Sequence, residues 1–573
     1  MRSVSIQNNG GVPRIAVDGK VVAPLSYITY FSERNCYADF ADRGYRVFSF
    51  PIMFGDQPVN NVSRLKPFTA PLFPAPGKTD FAVFDTEVQK VLDACPEALL
   101  LPRVNVSPAL WWEQLNPDDC CETGYPEGTP PRVCFSSRKF IDDTSRMLEQ
   151  LLEHIKNAPY CDNILGCQIA AGRTEEWFGF DEKGSVGKTA REAFAKQNPG
   201  KAFDQAAFQK YLSAAAADAI EALCRVVKQA SDNRWLAGAF YGYSYFCFDW
   251  KCNHLAMQQI LASPHVDFVC SPLGYTNRKK PELDWLPMIP YNSVIKHGKI
   301  YFAECDVRTH LTCNPGLCRP GCCPPGSYGE GVWSGPDDQD VCIGALQAVF
   351  SRQLTSGYCS WWFDMWGKWF DSPGMMQEME RFHKIISESL ADKEHLRPAE
   401  IAFFVDTENF TAVPNCSLLW PAINASFTQS GSYGTPLELY ETADFFKAAD
   451  ALKVCVFFSP CIAGDTARAI EYCKEHNIKY IFFDGTQSDP VTREDILPLC
   501  AENKVHLFSD TADPVYVSKH YIALHASESG KKKLLLEEPR RVTPLFGCSL
   551  EPFTGGEIVF ELEKYQTALF RLD

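Results

Sequence analysis

Up to about residue 395 the chain alternates short, uniformly apolar runs with longer stretches in which apolar residues return every three or four positions. The apolar runs are VAPLSYITYF (22–31), YRVFSFPIMFG (45–55), ALLLPRVNV (98–106), NILGCQIAAG (163–172), LAGAFYGYSYF (236–246), VDFVCSPLGY (266–275), KIYFAECDV (299–307) and SGYCSWWFDMW (356–366). Each is bounded by turn residues and has the length of a strand. Between them, 138–157 sets Ile141, Met147, Leu148, Leu151, Leu152 and Ile155 on one helical face. The stretch 205–230 does the same with Phe208, Leu212, Ala216, Ile220, Leu223 and Val227, and 253–262, 341–354 and 376–390 are further helical patterns. Strands apolar on both faces and separated by helices predict a parallel sheet covered on both sides. Eight such units predict a (β/α)8 TIM barrel. A doubly wound open sheet is the rival, but it gives no reason for polar residues to gather at the ends of nearly all the strands.

After Pro398 the pattern restarts on a smaller scale. Strands are predicted at 400–406, 453–459, 479–484 and 504–508, and helices at 437–450, 465–476 and 492–502, which together make a small parallel α/β domain. It has no G-x-G-x-x-G at a strand–helix turn, so nucleotide binding is not expected. The stretches 521–537 and 556–572 alternate with turns and predict a short antiparallel β unit. The expected domains are therefore 1–397, 398–512 and 513–573.

Composition narrows the function. The 573 residues are 46% hydrophobic, 22% charged and 13% aromatic, with 12 Trp and 22 Tyr, a supply of flat apolar faces that suits sugars as well as cores. Net charge is 55 − 71 = −16, which argues against a nucleic-acid partner. The opening MRSVSIQNNGGVPRIAVDGK lacks the apolar core of a signal peptide, and no run approaches the ~20 apolar residues that span a bilayer. A cytoplasmic protein without membrane contact is expected, its 24 cysteines mostly free thiols acting as small hydrophobes.

Barrel active sites lie at the C-terminal strand ends. Those ends carry Tyr27 and Tyr30 on strand one, Arg103 and Asn105 on three, Glu175 and Glu176 on four, and Tyr241, Tyr243 and Tyr245 on five. Strand six carries Tyr275 and Arg278, seven carries Glu304, Asp306 and Arg308, and eight carries Trp361, Trp362, Asp364 and Trp366. Any one of these has a packing explanation; together they read as a sugar site. Glycosidic cleavage needs one carboxyl group to protonate the leaving oxygen and a second to attack or to activate water. Either Glu175 or Glu176 can supply the acid; Glu176, followed by the aromatic Trp177, is preferred as the desolvated donor, and Glu175 is then a neighbour that tunes its pKa. Glu304, after the apolar KIYFA, is read as the nucleophile, kept ionised by Arg308 or Arg103. Tyr27, Arg103, Asn105, Glu175, Tyr241, Tyr243, Tyr275, Arg308, Trp362 and Asp364 are the expected substrate contacts. His297 and His310 read as structural.

An acid after strand four and a glutamate after strand seven resemble the layout of clan A of the glycoside hydrolases. In domain order the chain resembles the family 42 β-galactosidases. That resemblance implies a retaining, exo-acting β-glycosidase, with a flavodoxin-like domain used for trimerisation and a small C-terminal β domain. It also implies an Asn before the acid; here Thr174 or Glu175 stands in that slot. That asparagine contacts the 2-hydroxyl of the sugar in the family, so the sugar stays open, with β-mannosidases of the same clan as the nearest alternative.

No cofactor is expected. Cys313, Cys318, Cys322 and Cys323 form the densest cysteine cluster; zinc bound by four thiolates is conceivable there, but the spacing is not that of paired C-x-x-C ligands. A locally packed loop is the preferred reading, or a disulfide in an oxidising setting. Two further functions stand beside the glycosidase: a barrel that binds carbohydrate without cleaving it, and a thiol- or metal-dependent enzyme built on the cysteine loop.

Overall fold

In the computed structural model the described residues are 2–124, 126–180, 187–245, 253–410, 419–486 and 489–573. All eight predicted barrel strands form. They are Leu25–Thr29; Val47–Ser49 with Pro51–Met53; Leu99–Leu100 with Arg103–Asn105; Gly166–Ala170; Leu236–Phe240; Phe268–Pro272; Ile300–Cys305; and Cys359–Asp364. Phe246, at the end of the fifth apolar run, lies outside the described residues. Strands two and three each break once, so ten ladder segments make eight strands. Neighbours pair in parallel in sequence order, and strand eight pairs back onto strand one with Trp362 beside Tyr27. That last ladder closes the barrel and excludes the open sheet.

The helices begin and end where the side chains allow. Ser137 accepts a hydrogen bond from the Phe140 amide at the start of Arg138–Asn157, and Asp204 caps Gln205–Ala230. Asp338 caps Gln339–Ser356, which ends on Gly357 in the left-handed region (φ 77°).

A three-stranded antiparallel sheet, Val4–Asn9, Val12–Val17 and Lys20–Val21, precedes the barrel and was not foreseen. Its first turn is Gly10–Gly11, both at positive φ as a two-residue hairpin requires. The Val4 amide donates to the carbonyl of Arg234 and the Arg14 guanidinium to that of Gly357. These carbonyls lie just before strands five and eight, so the sheet covers the N-terminal end of the barrel and leaves the C-terminal mouth as the site.

The parallel domain has four strands in the order Leu437–Glu441, Ile401–Val405, Val454–Phe458, Lys479–Phe483. Two expectations are corrected here. The segment 437–441 is an edge strand, not the start of a helix: its amides find side chains of the barrel helix Tyr291–Lys296, Leu439 N donating to Asn292 Oδ1 (2.8 Å) and Glu441 N to Ser293 Oγ (2.9 Å). An edge covered in this way is stable as a strand whatever its helical propensity. The segment 504–508 joins no ladder; its amides go instead to Cys500 O, Glu400 Oε2 and Gly434 O. The C-terminal sheet has five antiparallel strands between Val515 and Leu572. No helix among the described residues is long and apolar enough to cross a membrane.

Cys313 and Cys318 are joined as a disulfide, the second of the two readings of this loop, while Cys322 and Cys323 stand 3.8 Å apart, sulfur to sulfur. Among the described residues no group of three or more His, Cys, Asp or Glu side chains is placed to hold a metal.

Candidate active site

Arg103, at the end of strand three, organises the barrel mouth. Its Nη2 donates to Glu304 Oε2 at 2.9 Å, its Nε to Gln168 Oε1 at 3.0 Å and its Nη1 to the Tyr30 hydroxyl. Glu175 Oε2 lies 3.9 Å from Nη1. The guanidinium lies among the rings of Phe240 (4.7 Å), Trp361 (5.3 Å) and Tyr30 (5.4 Å). Burial disfavours its charge, yet Tyr30, Glu304 and Glu175 together hold its pKa above the usual arginine value. Glu304 also accepts from the Trp361 indole at 3.2 Å. Burial pushes the Glu304 carboxyl up, Arg103 opposes the shift, and Asp306 adds to it. Of the two arginines expected to hold Glu304, the structure selects Arg103; Arg308 binds Asp306 at 2.8 Å instead.

Strand four ends at Ala170 and runs into an unusual loop. Thr174 (φ 60°), Glu175 (φ 70°) and Trp177 (φ 61°) all occupy the left-handed region. Non-glycine residues there cost on the order of 1–3 kcal/mol each and persist only where the surroundings enforce them. The Thr174 amide donates to Val59 O, the Trp177 amide to Ala171 O, and the Trp177 indole to Ile169 O at 3.0 Å. Trp177 was expected to desolvate Glu176. It is instead fully buried against Phe135 and anchors the loop.

The loop turns the two acids into different settings. Glu175 is fully buried, with Oε1 accepting from Asn105 Nδ2 at 3.4 Å. Glu176 is half-buried and held by two hydroxyls, Tyr243 at 2.7 Å and Thr174. Burial pushes both carboxyls up to about 7. For Glu176 the next cause is the negative charge of Glu304, whereas for Glu175 the nearby Arg103 pulls back. Beyond Glu304, Asp306 sits between Arg278 and Arg308, all three buried. The Tyr275 ring lies 3.5 Å from the Arg278 guanidinium and feels the charges of Glu176 and Glu304. Arg103, Asn105, Glu175, Glu176, Tyr243, Tyr275, Glu304 and Arg308 thus gather at one end of the barrel.

Four of the expected contacts do not join them. The Tyr241 hydroxyl donates to Ser213 O on the helix Gln205–Ala230, and the Trp362 indole to the Tyr45 hydroxyl while its ring stacks on Phe382. Tyr27 donates to Asp364 Oδ2 at 2.6 Å and packs on Phe40, while Asp364 also accepts from the Lys368 and Trp369 amides. The reason is strand parity: alternate residues face opposite sides of the barrel wall. The inward partners are their neighbours Phe240, Trp361 and Phe363, with Gln168 on strand four and Tyr30 beyond strand one. One interior anchor gives the parity, since residues two apart from a known inward residue face the same way. Tyr241→Phe is accordingly expected to cost about 1 kcal/mol of stability and to leave kcat and KM within twofold, as read by thermal melts beside steady-state kinetics. A large KM change with an unaltered melt would restore Tyr241 to the site. A groove of about 1110 Å³ lined by Phe73, Trp111 and Met147 holds none of the mouth carboxylates.

No family model and no curated protein sequence matches the chain. Solved structures do. Gan42B, a GH42 β-galactosidase from G. stearothermophilus, superposes with TM-score 0.60 at 11% identity, over 100% of this chain and 99% of that one. The fold is that of the family 42 β-galactosidases. The β-galactosidase of the psychrophilic Marinomonas ef1 gives TM-score 0.58 at 10% identity, covering 96% of this chain and 100% of that one. An exo-carrageenase GH42 from Bacteroides ovatus gives 0.58 at 9%, covering 100% and 86%. The likeness therefore extends over barrel, parallel domain and C-terminal sheet together.

Proposed function

We propose that the protein is a retaining, exo-acting β-glycosidase in which Glu304 is the nucleophile and Glu176 the acid/base. One observation carries this reading: two glutamates at the mouth have opposite environments. Glu304 is ion-paired to Arg103, the setting a nucleophilic carboxylate needs. Glu176 contacts hydroxyls and, among the described residues, pairs with no cation; it is half-buried, and burial raises its pKa to about 7, the setting of a proton donor that a leaving group can reach. In the first step Glu304 attacks the anomeric carbon while Glu176 protonates the departing oxygen. The glycosylated Glu304 no longer repels a negative charge on Glu176, whose pKa falls, and Glu176 then takes a proton from the incoming water. The family 42 fold supports the same assignment.

A different sugar from galactose is favoured by Glu175. It fills the position where the resemblance implies an asparagine, and its buried carboxyl meets Asn105 and Arg103. Glu175 is wholly enclosed, so it acts on the sugar site through Asn105 and Arg103, whose amide and guanidinium it holds with a carboxyl where the resemblance implies an amide. A panel of nitrophenyl β-glycosides, with product anomers read by NMR, tests the activity and the retention. Binding of sugars with no cleavage of any of them would leave only a carbohydrate-binding barrel.

The pH dependence has a definite sign. The acid must be protonated, so kcat/KM is present below about pH 7 and is lost as Glu176 ionises above it. In Glu176→Gln that limb is expected to vanish, and kcat/KM for poor leaving groups to fall by about 10²–10⁴-fold. Dinitrophenyl glycosides need little protonation and should lose far less. Equal losses on both substrate types would remove Glu176 from the acid role.

A further inference from the structure

We propose that Glu441, on the parallel domain, is a positioning residue that clamps the barrel segment 241–245 and thereby holds Tyr243 against the acid Glu176. The inference rests on the acid role given to Glu176 above and extends the site into a second domain.

Glu441 ends the edge strand Leu437–Glu441 and is buried. Its backbone is pinned to the barrel through Ser293, as described. Its side chain reaches back to the barrel mouth: Oε1 lies 3.1 Å from Ser244 Oγ, while Oε2 accepts from the Thr407 hydroxyl. Ser244 Oγ is in turn 3.0 Å from the Gly242 carbonyl. The next residue, Tyr245, stacks on Phe427 of the parallel domain with centroids 4.0 Å apart. Tyr243 directly precedes these anchors, its amide 3.4 Å from His254 Nδ1 and its hydroxyl on Glu176. His254 is sandwiched between the rings of Phe178 (4.5 Å) and Tyr241 (4.7 Å), where burial keeps it neutral. Gly242 (φ 84°) allows the turn: a Cβ there would meet Met257 Sδ at 2.4 Å.

The hydrogen bonds fit a neutral Glu441. Among the described residues no cation pairs with it; burial disfavours its charge most, and Asp444 and Asp406 add to that. As a carboxylic acid it donates to Ser244 Oγ, freeing the serine hydroxyl for the Gly242 carbonyl, while Thr407 donates to its other oxygen. Every donor then has an acceptor. A clamp of this kind transmits position, because the two residues that directly follow Tyr243 are both held by groups of the parallel domain, Ser244 by Glu441 and Tyr245 by Phe427.

The experiment compares the basic limb of kcat/KM against pH in Tyr243→Phe, Glu441→Ala, Glu441→Gln and the double variant Tyr243→Phe/Glu441→Ala, with thermal melts alongside. The Tyr243 hydroxyl stabilises ionised Glu176, so its loss moves the limb upward. Glu441→Ala is expected to move it the same way, with kcat reduced several-fold and KM within twofold. Glu441→Gln, which keeps a donor and an acceptor, restores the wild-type limb, and the double variant moves no further than Tyr243→Phe alone. Should Glu441→Ala not fold, Ser244→Ala severs the same link with less disturbance. A wild-type limb in Glu441→Ala or Ser244→Ala, with only the melt lowered, overturns the clamp. A limb that stays put in Tyr243→Phe overturns the acid role of Glu176, and the clamp with it.

Discussion

With Glu304 replaced by glutamine, hydrolysis of every glycoside the protein cleaves is expected to fall on the order of 10⁵–10⁶-fold, the scale seen when a covalent nucleophile is removed. Glutamine keeps the volume and one hydrogen-bond acceptor for Arg103, so the loss is one of chemistry and not of fold. In Glu304→Gly, azide can enter the vacated space and attack the anomeric carbon directly. Added azide should then restore turnover on a dinitrophenyl glycoside and yield a glycosyl azide of inverted configuration, detectable by NMR. Activity that survives in Glu304→Gln would end the two-glutamate reading, because the other mouth carboxyls either serve as the acid or, like Glu175, are wholly enclosed.

Arg103→Met is expected to produce the largest loss of stability. The guanidinium sits against Glu304 and Glu175 and is itself 1% exposed. Removing it leaves two buried carboxyls with no ion-pair partner among the described residues. Breaking one buried pair typically costs about 3–5 kcal/mol, and methionine replaces the volume but none of the donors. The melting midpoint should fall sharply, and more at neutral pH than at pH 5. The sign follows from Arg103 favouring the ionised carboxyls: without it both pKa values rise further, so the folded state gains stability by protonating as pH falls. Arg103→Lys keeps the charge but not the fork that serves Glu304, Gln168 and Tyr30 together, so an intermediate loss is expected. A melt of Arg103→Met unchanged across this pH range would show that the pair contributes nothing net.

Much of the site was legible in the chain because strand ends in a barrel have one address. Arg103, Asn105, Glu176, Tyr243 and Glu304 each follow an apolar run, and all reach the mouth. Tyr27, Tyr241, Trp362 and Asp364 follow such runs equally well and face the helices. A strand buried on both sides shows no alternation in hydrophobicity, so sequence carries no mark of which neighbour turns inward, and a one-residue error exchanges the faces. In the parallel domain, 437–441 has amides satisfied by side chains nearly 150 positions away, a pairing that local propensity cannot contain.

The architecture can be read along the chain: eight apolar strands alternating with amphipathic helices, a second parallel unit, a terminal antiparallel one, and acids at the ends of strands four and seven. Burial periodicity is a local property, and it is written along the chain. The partnering, by contrast, comes from the folded chain. Arg103 meets Glu304 across 201 positions, Arg308 turns to Asp306, the left-handed loop separates Glu175 from Glu176, and Glu441 reaches the barrel from another domain. Charges and hydrogen bonds act over a few ångströms of space, and which groups come that close is set by how the barrel closes and how the second domain lies against it.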